Sequence, residues 1–186
     1  MKLKWKKILA GILVMAMSVS GGTRVMGSPK AGEEAITLTA TDDVYVQGGK
    51  TADKVYADIP SSGSVLRIKS GTADYTRHTL LKFDISSLKN VDVGEAELRL
   101  QMGENMGTSF EKAYIYKVDN NWEGTKVTYN TKPKAVSTTP DVTITKADVY
   151  GTTPGSMVAI DLTELVSSAL QKGETTISLE LTSDDQ

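Results

Sequence analysis

Between Arg77 and Met102 apolar and polar side chains take turns. Leu81, Phe83 and Ile85 alternate with Lys82 and Asp84, and Ala96, Leu98 and Leu100 alternate with Glu97, Arg99 and Gln101. A repeat of two sends successive side chains to opposite faces of an extended chain, so both halves are predicted strands with one buried face each. The link from Lys89 to Gly94 carries Asn90 and Gly94, which suit a reversal, and the two halves are expected to pair. A half-buried strand pair cannot stand alone, so a second sheet is expected over its apolar side.

The rest of the chain supplies material for that cover. Ile36 and Leu38 alternate with threonines, and Asp42-Asp43 leads into Val44-Tyr45-Val46, which Gly48-Gly49 breaks. Pro60–Gly63 reads as a turn, after which Leu66 and Ile68 stand opposite Arg67 and Lys69. Tyr114, Tyr116 and Val118 alternate with Ile115 and Lys117, Val127–Tyr129 reads as short and extended, and Val158/Ile160 and Ile177/Leu179/Leu181 alternate again. One helix is written in near Thr163 to Leu170. Asp161 and Glu164 have capping-box spacing, Leu162, Leu165, Val166, Ala169 and Leu170 recur at helical spacing, and Gly173 closes the run. About eight short strands with one helix predict an all-β fold, an antiparallel β-sandwich of jelly-roll type.

The first twenty residues read differently. Lys2, Lys4, Lys6 and Lys7 precede an apolar run from Ile8 to Val19, with small Ser18 and Ser20 at its end. That is the pattern of a secretory signal, cut after Ser20 or, second, at Gly27. The run is too short for a comfortable membrane span, so no membrane association is expected after cleavage; the alternative reading is a retained membrane anchor. Residues 21–35 are rich in Gly, Ser and charge and read as a flexible leader, which leaves 36–186 as one domain.

Losing the signal changes the electrostatics. Of 21 basic side chains four leave with it, so 17 remain against 23 acidic ones, a net charge of −6. Nucleic-acid binding, which rests on neutralising phosphate, is disfavoured. The chain has no cysteine, which excludes a disulfide scaffold and thiolate chemistry.

The segments LLKFDISSL and AELRL, with DDVYV before them and VDNNWEGTKVTYNTKP and IDLTELVSSAL after, resemble the secreted β-sandwich domains called DNRLRE domains. Part of that group is classed as carbohydrate-binding module family 96. The resemblance spans about Ala40 to Leu181 and implies a jelly roll attached to secreted polysaccharide-degrading enzymes or cell-surface proteins, some members binding alginate. Such domains continue into a further strand, so the chain is expected to be truncated at its C-terminal strand. The implied function is non-catalytic binding of an acidic polysaccharide such as alginate, in a parent protein carrying a lyase, hydrolase or cell-wall module. The alternative is a structural or adhesive surface module with no sugar binding of its own.

Candidate chemistry follows from the strand faces. If Leu66/Ile68, Leu81/Phe83 and Leu98/Leu100 point inward, then Arg67, Lys69, Lys82 and Arg99 point outward, and Arg77 extends them. Set side by side on neighbouring strands, these cations would hold uronate carboxylates. The other reading makes them solvated strand charges paired with Glu97 and Asp84. For stacking on sugar rings the candidates are Trp122, Tyr45, Tyr75, Tyr114 and Tyr129, of which Trp122 reads as core and Tyr75 as the exposed one. Asp42, Asp43, Asp119 and Glu123 could hold a structural calcium ion with backbone carbonyls, although they also read as solvated turn acids. His78 is the one histidine, placed on the side of its strand away from Leu81 and Phe83. The E-A-E-L-R-L stretch is faintly similar to the R-x-E-L-R strand of jelly-roll alginate lyases. Their Gln-x-His and Tyr-rich strands are missing, so no enzyme is expected within this chain.

Overall fold

The computed structural model of the chain describes residues 12–17, 35–57, 66–71, 74–103, 111–149 and 155–184. Nine strands are described: β1 Ile12–Met17, β2 Ala35–Thr39, β3 Asp42–Gln47, β4 Arg77–Asp84, β5 Val93–Gln101, β6 Lys112–Val118, β7 Val142–Thr145, β8 Met157–Asp161 and β9 Thr176–Ser183. Two helices join them, α1 Lys146–Val149 and α2 Thr163–Gln171. The strands form a four-stranded sheet in the order β2-β1-β5-β8 and a five-stranded sheet in the order β3-β4-β9-β6-β7. Every pairing is antiparallel. The fold is an all-β sandwich, as the alternation predicts.

The core lies between the sheets. Leu81, Phe83, Ile115, Ile177 and Leu179 meet Ala96, Leu98, Val158 and Ile160 from the opposite layer. Each fully buried side chain of this size contributes about 1.5–3 kcal/mol, so this contact is the main stabiliser of the two layers. Leu162, Leu165, Val166 and Ala169 join the same core, which is why α2 forms where its apolar stripe begins. Its end is a Schellman turn: Gly173 has φ +72, its N–H donates to the Leu170 carbonyl at 2.9 Å, and the Glu174 N–H donates to Ala169 at 3.0 Å. At the start, Asp161 accepts from the Thr163 N–H at 2.8 Å, nearer than a capping box would place it.

The expected pairing of β4 with β5 is not what forms. β4 lies between β3 and β9, and β5 lies between β1 and β8, so the two strands face each other across the core from different sheets. The link explains this. Ser86–Leu88 makes a 3-10 turn that buries Leu88, and Asn90 takes φ +68, so the chain climbs from one layer to the other. Both strands keep one buried face, which is all that alternation encodes.

Other readings also change. Leu66 and Ile68 pack on the core, but their segment makes only the Lys69–Arg77 bridge and is no strand. Val127–Tyr129 lies in a run of turns, where the Lys126 and Val127 N–H groups both donate to the Glu123 carbonyl. α1 was not expected; Asp148 caps it, accepting from Thr145 N and Oγ1 at 2.6 and 2.8 Å. β1 falls inside the stretch read as a secretory signal, between β2 and β5. The turn expected at Pro60–Gly63 lies outside the described residues.

Candidate functional site

The outer face of the five-stranded sheet is built by the residues whose neighbours fill the core. β4 contributes His78, Leu80 and Lys82. In register with them, β9 contributes Ser178 opposite Lys82 and Glu180 opposite Leu80, and β6 sets Val118 beside Ser178 and Tyr116 beside Glu180. Two rows of side chains therefore cross the sheet, and they have different fates.

The segment 119–135 covers the Lys82–Ser178 row. Trp122 is 6% exposed and packs with Val44, Val46, Leu80 and Val127 in a second apolar cluster. Its indole N–H donates to the Ser178 hydroxyl at 3.0 Å. The Lys82 ammonium lies 4.4 Å from the Trp122 ring centroid and donates to the Trp122 carbonyl. Asn120 donates to the Thr176 carbonyl at 3.0 Å, and the Gly124 N–H donates to the Asp42 carboxylate at 2.7 Å. A Cβ on Gly124 would sit 2.4 Å from Asp42 Oδ1, so a side chain there would push the carboxylate aside. Farther along, Asn130 donates to the Asp53 carboxylate at 2.8 Å. The clamped segment thus carries Tyr129 and Lys132 onto the second row.

That row holds the chemistry. Glu180 is 4% exposed, and one of its oxygens, Oε1, is met by His78 Nδ1 at 2.7 Å and by Lys132 Nζ at 2.6 Å. Burial alone would raise this carboxyl, but the hydrogen bonds and charges of His78 and Lys132 outweigh it and hold the group below its ordinary value. His78 and Lys132 remain partly open, with 17% and 23% of their side chains exposed. The Tyr129 ring stands edge-on to His78 at 5.3 Å, and Lys132 lies 5.8 Å from that ring. On the other flank Tyr116 and Tyr114 lie 6.5 Å apart, both half-buried. Burial and the neighbouring Asp184 carboxylate, which accepts the Tyr114 hydroxyl at 3.2 Å, raise the Tyr114 phenol above its usual range. The result is a strip with aromatic rings at both ends and a fixed charge cluster between them.

The cations picked from the sequence separate into three places. Lys82 is engaged by Trp122 on the outer face. Arg99 lies on the outer side of the other sheet and donates through Nε and Nη2 to Glu97 at 3.0 and 2.9 Å. They are on opposite sides of the sandwich, so the expected single basic face does not exist. Arg67, Lys69, Arg77 and Tyr75 do come together, at the Gln47–Arg77 end of β3 and β4. Lys69 and Arg77 exchange backbone hydrogen bonds at 2.9 and 2.8 Å, and Lys69 Nζ lies 5.7 Å from the ring of Tyr75, which is 54% exposed. Arg77 Nε donates to Gln47 at 2.8 Å, and Arg67 lies 5.6 Å from the Tyr45 ring. Asp42 anchors the Gly124 turn and Asp43 is engaged as well. Among the described residues no three His, Cys, Asp or Glu side chains converge as a metal group would.

Glu180, Lys132 and Tyr116 were not singled out from the sequence. Glu180 left a trace: in ISLEL it is a charge between two core leucines, where a solvated face needs no full burial. Lys132 left none, since its place depends on the clamps along 119–135.

A β-sandwich with a preformed strip of rings and fixed charges on one sheet face has the anatomy of a ligand-binding module. The comparison with known families gives the class its name: residues 34–186 match carbohydrate-binding module family 96, and the chain belongs to that family. It is therefore a non-catalytic module that binds carbohydrate. A gellan lyase from Bacillus sp is 27% identical over 161 residues, a match covering 76% of this chain and 6% of that enzyme. The chain thus spans a small fraction of that relative's length.

Proposed function

We propose that the module binds an acidic polysaccharide along the strip of Tyr129, His78, Lys132, Glu180 and Tyr116, and that it serves a secreted polysaccharide-active enzyme. The observation that carries this is the Glu180 carboxylate holding His78 and Lys132 between tyrosine rings. Rings supply apolar faces for sugars, the Lys132 ammonium supplies further donors for carboxylates or hydroxyls, and the second nitrogen of His78 meets a hydroxyl or, once protonated, a carboxylate. The Arg67–Lys69–Arg77–Tyr75 cluster lies at the same end of β4, but Arg77 has the parity opposite to His78 on the strand, so it does not extend the strip. Similarity to an enzyme named for a polysaccharide supports the link to such a parent protein, and alginate is the first ligand to try. Export that removes residues 1–20 would also withdraw β1, so the exported domain must close or refill the position between β2 and β5.

Affinity electrophoresis in gels containing alginate, pectate or a neutral glucan tests the reading. Retardation is expected in the two polyuronates and should weaken with added salt, because screening acts over about 10 Å at 0.1 M ionic strength. The Tyr129→Ala/Lys132→Ala variant should lose affinity by on the order of tenfold, the scale of a truncated central contact. Arg99→Ala should be retarded like the parent. The opposite pattern would move the site to the other sheet.

A further inference from the structure

The contact between His78 and Glu180 fixes more than a position. Glu180 is an acceptor, and Lys132 donates to the same oxygen, so His78 must be the donor in its 2.7 Å contact. The imidazole proton therefore sits on Nδ1. The second nitrogen, Nε2, has no protein partner among the described residues. In the neutral ring Nε2 carries a lone pair, which repels a carboxylate. One added proton turns it into a charged donor beside the Lys132 ammonium.

The surrounding charges leave that change unmasked. From β9 the facing group is Glu180, from segment 119–135 they are Lys132 and Tyr129, and from β6 Tyr116 and Tyr114. From β3 the partner in register is Val46, which carries no charge. On β4 itself Arg77 is adjacent, bound to Gln47, and Lys82 is held by Trp122. Asp53 and Asp184 are the next acids, reached through Asn130 and Tyr114. Glu180 and Lys132 cancel, so the group of three is neutral with a neutral imidazole and carries one positive charge with a protonated one.

We propose that His78 and Lys132 form a carboxylate-receiving pair, and that protonation of His78 strengthens its hold on uronate-bearing chains as the medium acidifies. This rests on the ligand reading above and adds the specificity-determining residue and its control. Uronate carboxyls keep their charge in the relevant window, since simple carboxyls titrate near about 4 and imidazole near about 6.5. His78 is the chain's one histidine, so no other imidazole contributes.

The test is calorimetric titration of the full chain with an alginate hexasaccharide at constant ionic strength, from about pH 8 to about pH 5.5. Affinity should rise on the order of tenfold on acidification, the scale of one new charge-assisted hydrogen bond. The methyl-esterified hexasaccharide should show no rise. In His78→Asn the amide nitrogen takes the place of Nδ1 and keeps the Glu180 contact, but the charge cannot form, so its profile should be flat. A flat parental profile with measurable binding overturns this inference and leaves the ligand reading intact, as does a rise that persists in His78→Asn. Binding at no pH to any acidic oligosaccharide overturns both.

Discussion

Trp122→Ala should destabilise the domain by about 3–5 kcal/mol, the usual cost of emptying a large aromatic site in a core. The indole is the centre of the apolar cluster on the outer face, and its loss also leaves the buried Ser178 hydroxyl without its donor. Lys82 loses the ring beneath its ammonium. The same change should abolish carbohydrate binding, because Trp122 pins the segment that carries Tyr129 and Lys132. Urea unfolding reads the first effect and gel retardation the second. A loss below about 1 kcal/mol would mean the outer cluster is a loose cover and not a second core.

Glu180→Gln should cost about 2–3 kcal/mol near neutral pH, because two charge-assisted hydrogen bonds to a buried acceptor are weakened together. The partly open partners keep the figure below that of a fully buried pair. The acid response gives the sharper test. The folded value of Glu180 lies below its ordinary 4.5, so the carboxylate favours the folded state above that value, and the contribution disappears as pH falls through the folded value. The parent should therefore lose urea resistance on acidification below about 4.5 more steeply than Glu180→Gln, so the two curves converge in acid. Parallel curves would show that Glu180 is not held ionised by His78 and Lys132.

Much of the fold could be read because alternation reports burial. The inward residues of β4, β5, β8 and β9 are each marked by a repeat of two, and the stripe of α2 with Gly173 marks the helix and its end; in β6 the repeat marks the strand but not its buried face, since Ile115 enters the core while Tyr114 and Tyr116 stay on the outer side. Alternation says nothing about which strand lies beside which, so β4 and β5 were expected to pair although they lie in opposite layers. That one difference dissolved the proposed basic face, since Lys82 and Arg99 depended on adjacency. Leu66–Lys69 shows the same limit: its apolar residues are covered, yet its backbone makes one bridge.

The candidate site was less legible for a related reason. It needs β4, β9 and β6 in register and the 119–135 segment clamped by Asp42, Ser178 and Thr176, all of them distant in sequence. In the sequence Asp42 reads as a calcium ligand or a solvated turn acid, and in the fold it anchors the Gly124 turn. Trp122 reads as core, and its burial is what delivers Tyr129 and Lys132 to the site.

The central claim is that carbohydrate is held on the outer face of the five-stranded sheet. Titration of the isotope-labelled chain with alginate oligosaccharide, followed by amide chemical shifts, tests it most directly. The largest changes should fall on Arg77, His78, Tyr116, Tyr129, Lys132 and Glu180, with Glu97, Arg99 and Ala159 of the other sheet unmoved. Changes centred on Glu97, Arg99 and Ala159, with the His78–Glu180–Lys132 strip silent, would contradict the account.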